Sequence, residues 1–213
     1  AIQNRRNSAL RTRSQMDTDA GAGLPFPKDP ETSERLMRYY RVMSSALGPM
    51  HWWPAKTRYE VIVGAILTQS TSWGNVERAI ANLRAAGMLT PSAILKTRLS
   101  RIAQLVRPSG YFRQKAKKLK AFARFLQNEY GGSLARMFQT STAELREELL
   151  SVHGIGPETA DSILLYAGNH PVFVVDAYTH RIFGRHGIIS GKADYEAVRA
   201  LFEAGGAPLP AEG

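Results

Sequence analysis

Residues 149–187 read LLSVHGIGPETADSILLYAGNHPVFVVDAYTHRIFGRHG, and their reading decides the fold. Gly154, Ile155 and Gly156 form a tight turn with one apolar residue between two glycines. Pro157 comes next, at a natural first helical position, where its missing N–H costs nothing. The next residues, ETADSILLYA, predict a helix over 156–168 with Ile163, Leu164 and Tyr166–Ala167 available for burial. Glycines let a backbone approach a ligand without Cβ obstruction, and the N–H groups that open a helix lie at its positive end. The turn therefore predicts an anionic ligand nearby, a phosphodiester held without reading its bases. Alone, the pattern also describes an ordinary helix-start turn, so the residues beyond the helix decide between the two.

Outward from this stretch the chain is helical throughout. Residues 1–32, rich in Arg, Asp, Gly and Pro, read as a disordered leader. A helix is expected from Ser33 to Leu47 with Leu36, Tyr39, Tyr40 and Met43 on one face, interrupted by GPMHWWPAK. RYEVIVGAILTQ (58–69) is a strongly apolar helix, and NVERAIANLRAAG forms another. Short helices are expected at 91–96 and 99–106, and a long one at 112–130. Ser141 and Glu144 make a capping box that opens a further helix. Two more are expected, from Ala177 and near 192–204. The only strand-like run, VFVV at 172–175, is too short to build a sheet, so the fold class is all-α. Residues 205–213 read as a flexible tail.

Composition narrows the partner. The 213 residues are 44% apolar and 22% charged, an ordinary globular mixture. No apolar run approaches the ~20 residues of a membrane helix, and the basic N-terminus lacks the apolar core of a secretory signal. With no cysteine there are no disulfides, thiolate metal sites or iron–sulfur ligands in this chain, and the five histidines show no ligand spacing. The formal net charge is +10, and residues 1–35 are close to balanced, so the excess lies in the folded body. Such a surface favours an extended polyanion, nucleic acid ahead of a membrane.

LLSVHGIGPETADSILLYA followed by VFVVDAYTHRI resembles the helix–hairpin–helix (HhH-GPD) DNA glycosylase superfamily, of which endonuclease III is the familiar member. The resemblance covers roughly residues 45–204. GAILTQSTSW and VRPSGYFRQKAKKL are similar to the 3-methyladenine DNA glycosylase branch, whose members excise alkylated bases. It implies two helical lobes with a base pocket between them and a double-stranded DNA partner bearing a damaged base. A monomer is expected, cytoplasmic and nucleoid-associated. Relatives continue with further helices, sometimes with four cysteines for an iron–sulfur cluster. The second lobe is therefore expected to be incomplete at the C-terminus, and any such cluster would belong to a further C-terminal segment. The hairpin carbonyls of some members hold an alkali cation, the one cofactor expected here.

The resemblance also assigns residues. Asp176 matches the family's catalytic aspartate, and a carboxylate suits that role because it stabilises the oxocarbenium character of a sugar losing its base and positions water. Asp before AYTHRI is equally a good helix N-cap, and one residue can serve both ends. Glu158 stands where lyase members carry an imine-forming lysine; a carboxylate cannot form a Schiff base, which implies a monofunctional glycosylase. Glu158 also complements a helix N-terminus. Gly154, Ile155, Gly156 and Thr159 are the expected hairpin contacts to DNA.

Trp52, Trp53, Pro54 and Trp73 are the candidate base pocket, since indole faces stack on an extruded base and attract a cationic one. Interior packing is the alternative for each. Gln69 or Ser70 is expected to fill the gap left by that base, with the choice open. Lys115, Lys117 and Lys118, with Arg113 and Lys120, form a basic cluster that meets DNA or is simply a solvated face. Two other readings stay open: a bifunctional or oxidised/mismatched-base glycosylase, and a non-catalytic hairpin module. A pure binder has no need of Asp176 facing a phosphate strand.

Overall fold

The structure, a computed structural model, describes residues 30–48, 53–190 and 192–205. Among them it is all-α, without a strand. The helices are α1 (Pro30–Leu47), α2 (Arg58–Leu67), α3 (Trp73–Ala85), α4 (Pro91–Lys96), α5 (Leu99–Leu105), α6 (Phe112–Tyr130), α7 (Leu134–Met137), α8 (Thr142–Ser151), α9 (Pro157–Ser162), α10 (Ala177–Arg185) and α11 (Tyr195–Ala204). None of them is long and apolar enough to cross a membrane.

RYEVIVGAIL is apolar on every face, and such a helix must be surrounded. Every residue of α2 from Tyr59 to Leu67 is buried, and the helix is the axis of the larger core. Its one buried carboxylate, Glu60, is paired with Arg84 of α3. Against α2 pack α3, α6 and α9, while α4 and α5 extend the same core against α6, and α8 against α9. Of the capping box expected at Ser141, the N-cap half is formed, Ser141 Oγ accepting from Glu144 N–H at 3.4 Å.

A second, smaller core joins the two ends of the described chain. Leu36 of α1 packs with Val175, Ile188, Ile189 and the α11 residues Val198, Leu201 and Phe202. Of the face expected on α1, Leu36 is buried and Tyr39 packs at the edge of this core, but Tyr40 and Met43 are exposed, at 37% and 46%. The second core is too small to cover the whole stripe. VFVV is extended but pairs with no strand, and it runs from one core to the other: Val172 belongs to the first and Val175 to the second. Asp176 comes immediately after, at the junction of the lobes.

Candidate active site and nucleic-acid interface

The hairpin is the turn between α8 and α9. Gly154 adopts φ +83°, a left-handed conformation that favours glycine. A Cβ there would also lie 2.7 Å from Cδ and Cε of Lys118, so the lysine stem needs the bare backbone. Gly156 differs: it is exposed, its φ is −97°, and nothing lies within 4 Å of a Cβ built on it. The fold tolerates a side chain at 156, which leaves outward access as the reason for glycine. No side chain caps the α9 N-terminus, so its first N–H groups face outward.

Two expected hairpin contacts face inward. Ile155 is buried in the larger core, with its N–H donating to Val152 O at 3.0 Å. Thr159 is buried as well, and its hydroxyl accepts from Gln69 Nε2 at 2.9 Å. Apolar packing claims the first side chain and a side-chain amide the second, so both side chains support the turn. The same Gln69 amide donates to Gly154 O at 3.2 Å, and Lys118 Nζ donates to Gln69 Oε1. Gln69 is thus tied to the hairpin in the DNA-free protein. Ser70 is exposed and sits at φ +54°. The carbonyls of Val152 and Gly154 already accept hydrogen bonds, so an alkali cation at the turn would share those oxygens.

Gln69, Lys118, Gly154–Thr159 and Tyr195 line an open cavity of about 600 Å³. Glu158 stands at its open side. Partial desolvation first, and then the Asp176 carboxylate, push its pKa above the ordinary glutamate value, so the two carboxylates share one field. Asp176 is half-buried and caps α10: Oδ1 accepts from Thr179 N–H at 2.8 Å and from Thr179 Oγ1 at 3.0 Å. Thr179 Oγ1 in turn accepts from Asp176 N–H at 3.3 Å, which closes a reciprocal box. Capping holds the carboxylate at the lobe junction without burying it.

Trp53 and Trp73 meet edge to face with ring centroids 5.6 Å apart, and Tyr166 lies against Trp53 at 5.0 Å. Trp53 also lies against Gly64, where a Cβ would be 3.2 Å from its ring. Tyr166 was not among the expected pocket residues. The predicted 156–168 helix does not stay regular: residues Ile163–Ala167 widen into a π turn, a feature that often re-aims side chains at functional sites. Pro54 is exposed beside this aromatic group, and Trp52 lies outside the described residues.

The α6 cluster separates into different roles. Lys115 is 1% exposed and donates to Ser109 O, which removes it from any DNA-facing surface. Its pKa falls to about 8, chiefly through burial and then through Lys118. Lys120 donates to Thr97 O, Lys118 faces the cavity, and Arg113 and Lys117 are exposed. Among the described residues no group of His, Asp and Glu could hold a metal ion. The chain has no thiolate for an iron–sulfur cluster, and no step relies on one.

A model of the HhH-GPD superfamily base excision DNA repair proteins matches residues 63–208, a span that holds Gln69, the hairpin and Asp176. A Methanocaldococcus jannaschii protein, provisionally named a DNA repair glycosylase, is 48% identical over 172 residues, 80% of this chain and 78% of its own. Endonuclease III homolog 2, chloroplastic, of Arabidopsis thaliana is 32% identical over 183 residues, 80% of this chain but only 44% of the plant protein. This chain thus spans less than half the length of that relative. The crystal structure of the H. pylori 3-methyladenine DNA glycosylase bound to 1,N6-ethenoadenine is similar at a TM-score of 0.70 and 33% identity, covering 82% of this chain and 81% of that one. With a glycine hairpin and a capped aspartate at the lobe junction, the chain belongs to the HhH-GPD superfamily of base excision DNA repair proteins.

Proposed function

We propose that this protein is a monofunctional DNA glycosylase, acting as a monomer, that hydrolyses the N-glycosidic bond of a cationic alkylated purine in double-stranded DNA. The observation that carries the reading is Glu158, which lines the cavity beside the hairpin and feels the charge of the capped Asp176 carboxylate, standing as a carboxylate at the position that lyases fill with an amine. The hairpin holds the phosphodiester beside the lesion through outward N–H groups and the α9 dipole. The damaged base turns out of the stack toward Trp53, Trp73 and Tyr166. An alkylated purine already carries positive charge, so it departs as a neutral base with the electron pair of the broken C–N bond. The sugar is left with oxocarbenium character, which the Asp176 carboxylate stabilises through the oxygen that the cap does not use. Water then adds to C1′, and its proton passes to a carboxylate or to solvent.

The H. pylori relative, named a 3-methyladenine glycosylase, supports the alkylpurine preference. The relative named an endonuclease III homolog favours a second reading, with a lyase step. That step needs an amine at the sugar, and the nearest lysine at the cavity, Lys118, is bonded to Gln69. The deciding experiment incubates the protein with duplexes that each carry one defined lesion, then reveals abasic sites with alkali. Release of alkylated purines with intact abasic sites supports the proposal. Strand cleavage without alkali, or release confined to neutral oxidised bases, overturns it.

A further inference from the structure

The segment that delivers Asp176 has no neighbouring strand, yet two of its backbone donors find side-chain acceptors on one helix. Phe173 N–H donates to Glu203 Oε1 at 3.1 Å, and Val175 N–H donates to the Tyr195 hydroxyl at 3.4 Å. Both acceptors are side chains of α11. Donors two residues apart on an extended chain point the same way, so α11 occupies the place of a missing strand.

The two acceptors are also joined to each other through side chains. The Tyr195 hydroxyl donates to Asp161 Oδ2 at 2.8 Å, and Asp161 is fully buried. Arg146 holds Asp161 with two bonds, Nε to Oδ1 at 2.7 Å and Nη2 to Oδ2 at 3.1 Å. Arg146 Nη2 reaches Glu196 Oε1 at 2.6 Å, and Glu196 Oε2 accepts from Arg199 Nε at 3.0 Å. Arg199 Nη1 lies 2.9 Å from each oxygen of Glu203, which returns the network to Phe173. Burial and the Asp161 carboxylate push the Tyr195 pKa far up, so its hydroxyl stays a neutral donor throughout the working range.

The geometry points to Tyr195 as a positioning residue that sets Asp176 against the hairpin. Arg146 and Asp161 belong to the two hairpin helices, α8 and α9, while Val175 precedes the catalytic carboxylate by one residue. Tyr195 is the shorter of two side-chain links between the hairpin helices and the segment that carries Asp176, and the one that ends a residue before it. It also lines the cavity beside Glu158. This inference rests on the reading of Asp176 as the catalytic carboxylate.

The test begins with Tyr195→Phe, which keeps the ring and removes only the hydroxyl. On a duplex that the wild type processes, single-turnover excision at a temperature well below the melting point should fall ten- to a hundredfold. Affinity for a duplex bearing an abasic-site analogue should stay within about twofold. The double variant with Asp176→Asn should be no slower than Asp176→Asn alone, because a group acting through Asp176 adds nothing once that carboxylate is gone. Glu203→Gln, which keeps an acceptor for Phe173 N–H, should retain most of the rate that Glu203→Leu loses.

Additive losses in the double variant would overturn the inference, as would a rate loss matched by an equal loss of DNA affinity. Independent of activity, Tyr195→Phe should speed hydrogen exchange of amides 173–176 at least tenfold while α2 stays protected. Unchanged exchange there would also overturn it. If Asp176→Asn excises at the wild-type rate, the catalytic reading itself has failed. If Asp176→Asn is inactive and Tyr195→Phe is normal, only the positioning role has failed.

Discussion

Asp176 is asked to hold a helix and to drive a reaction, and two substitutions separate these duties. Asp176→Asn keeps Oδ1, the oxygen that accepts from Thr179 N–H at 2.8 Å and from Thr179 Oγ1 at 3.0 Å. Asn and Asp are equal as N-caps, so the variant loses only a charge at a helix N-terminus, about 0.3–1 kcal/mol. In a chain of this size that lowers Tm by about 1–4 °C. Asp176→Ala loses the cap as well, about 0.5–2 kcal/mol and up to roughly 8 °C. Catalysis should sort differently. Removing a preorganised stabiliser of transition-state charge costs roughly 10²–10³ in rate, so both variants should be impaired by about that factor despite their different stabilities. DNA affinity should hold or tighten slightly, because a negative charge leaves the phosphate-binding face. Single-turnover excision, DNA titration and thermal melts on the same preparations provide all three readings. An Asn variant within about tenfold of wild type, or rates that rank Asn above Ala as the melting temperatures do, would leave Asp176 a cap and nothing more.

Wild-type protein should not be trapped on lesion DNA by borohydride, and Glu158→Lys should gain trapping; wild-type trapping would contradict the water mechanism. The Glu158 pKa is raised, so its neutral form should appear above the ordinary glutamate range as pH falls, and DNA binding should tighten there. The same group should reduce folding stability as pH rises through its folded pKa, since the folded state binds that proton more tightly than the unfolded chain does. Glu158→Gln should flatten both dependences, and unchanged titrations in that variant would refute the shared field. For α6, Lys117→Gln should lower the slope of log K against log salt by about 0.9 per lost phosphate contact, whereas Lys115→Met should leave the slope alone and lower Tm. The reverse pattern would restore Lys115 to the DNA face. Trp73→Ala should cost excision roughly ten- to a hundredfold and Trp73→Phe much less, in line with about 1–3 kcal/mol of stacking; an unfolded Trp73→Ala protein would assign that ring to core packing.

Chemistry that is local along the chain is legible in it, and chemistry assembled across the fold is not. Local rules worked wherever the chemistry was local: α2 is buried on all faces, Ser141 caps its helix within one turn, and Pro157 opens its own. Lys115 was misread although its signal was present. It sits four residues before Leu119 and seven before Phe122, on the buried stripe of α6, and its stem was long enough to carry the ammonium to Ser109 O. Counting lysines as a cluster hid the fact that helical spacing had already divided them. Gln69 shows the other kind of miss, because its partners, Gly154, Thr159 and Lys118, lie 49 to 90 residues away and no window along the chain contains them. The 172–175 segment combines both. Its short apolar run reads as strand-like but too short to build a sheet, and no strand forms among the described residues. The N–H groups of Phe173 and Val175 instead meet side chains of α11, 30 and 20 residues on, which accept them. Extended backbone needs acceptors on a flank, not necessarily a strand, and here a helix supplies them and fixes the next residue, Asp176.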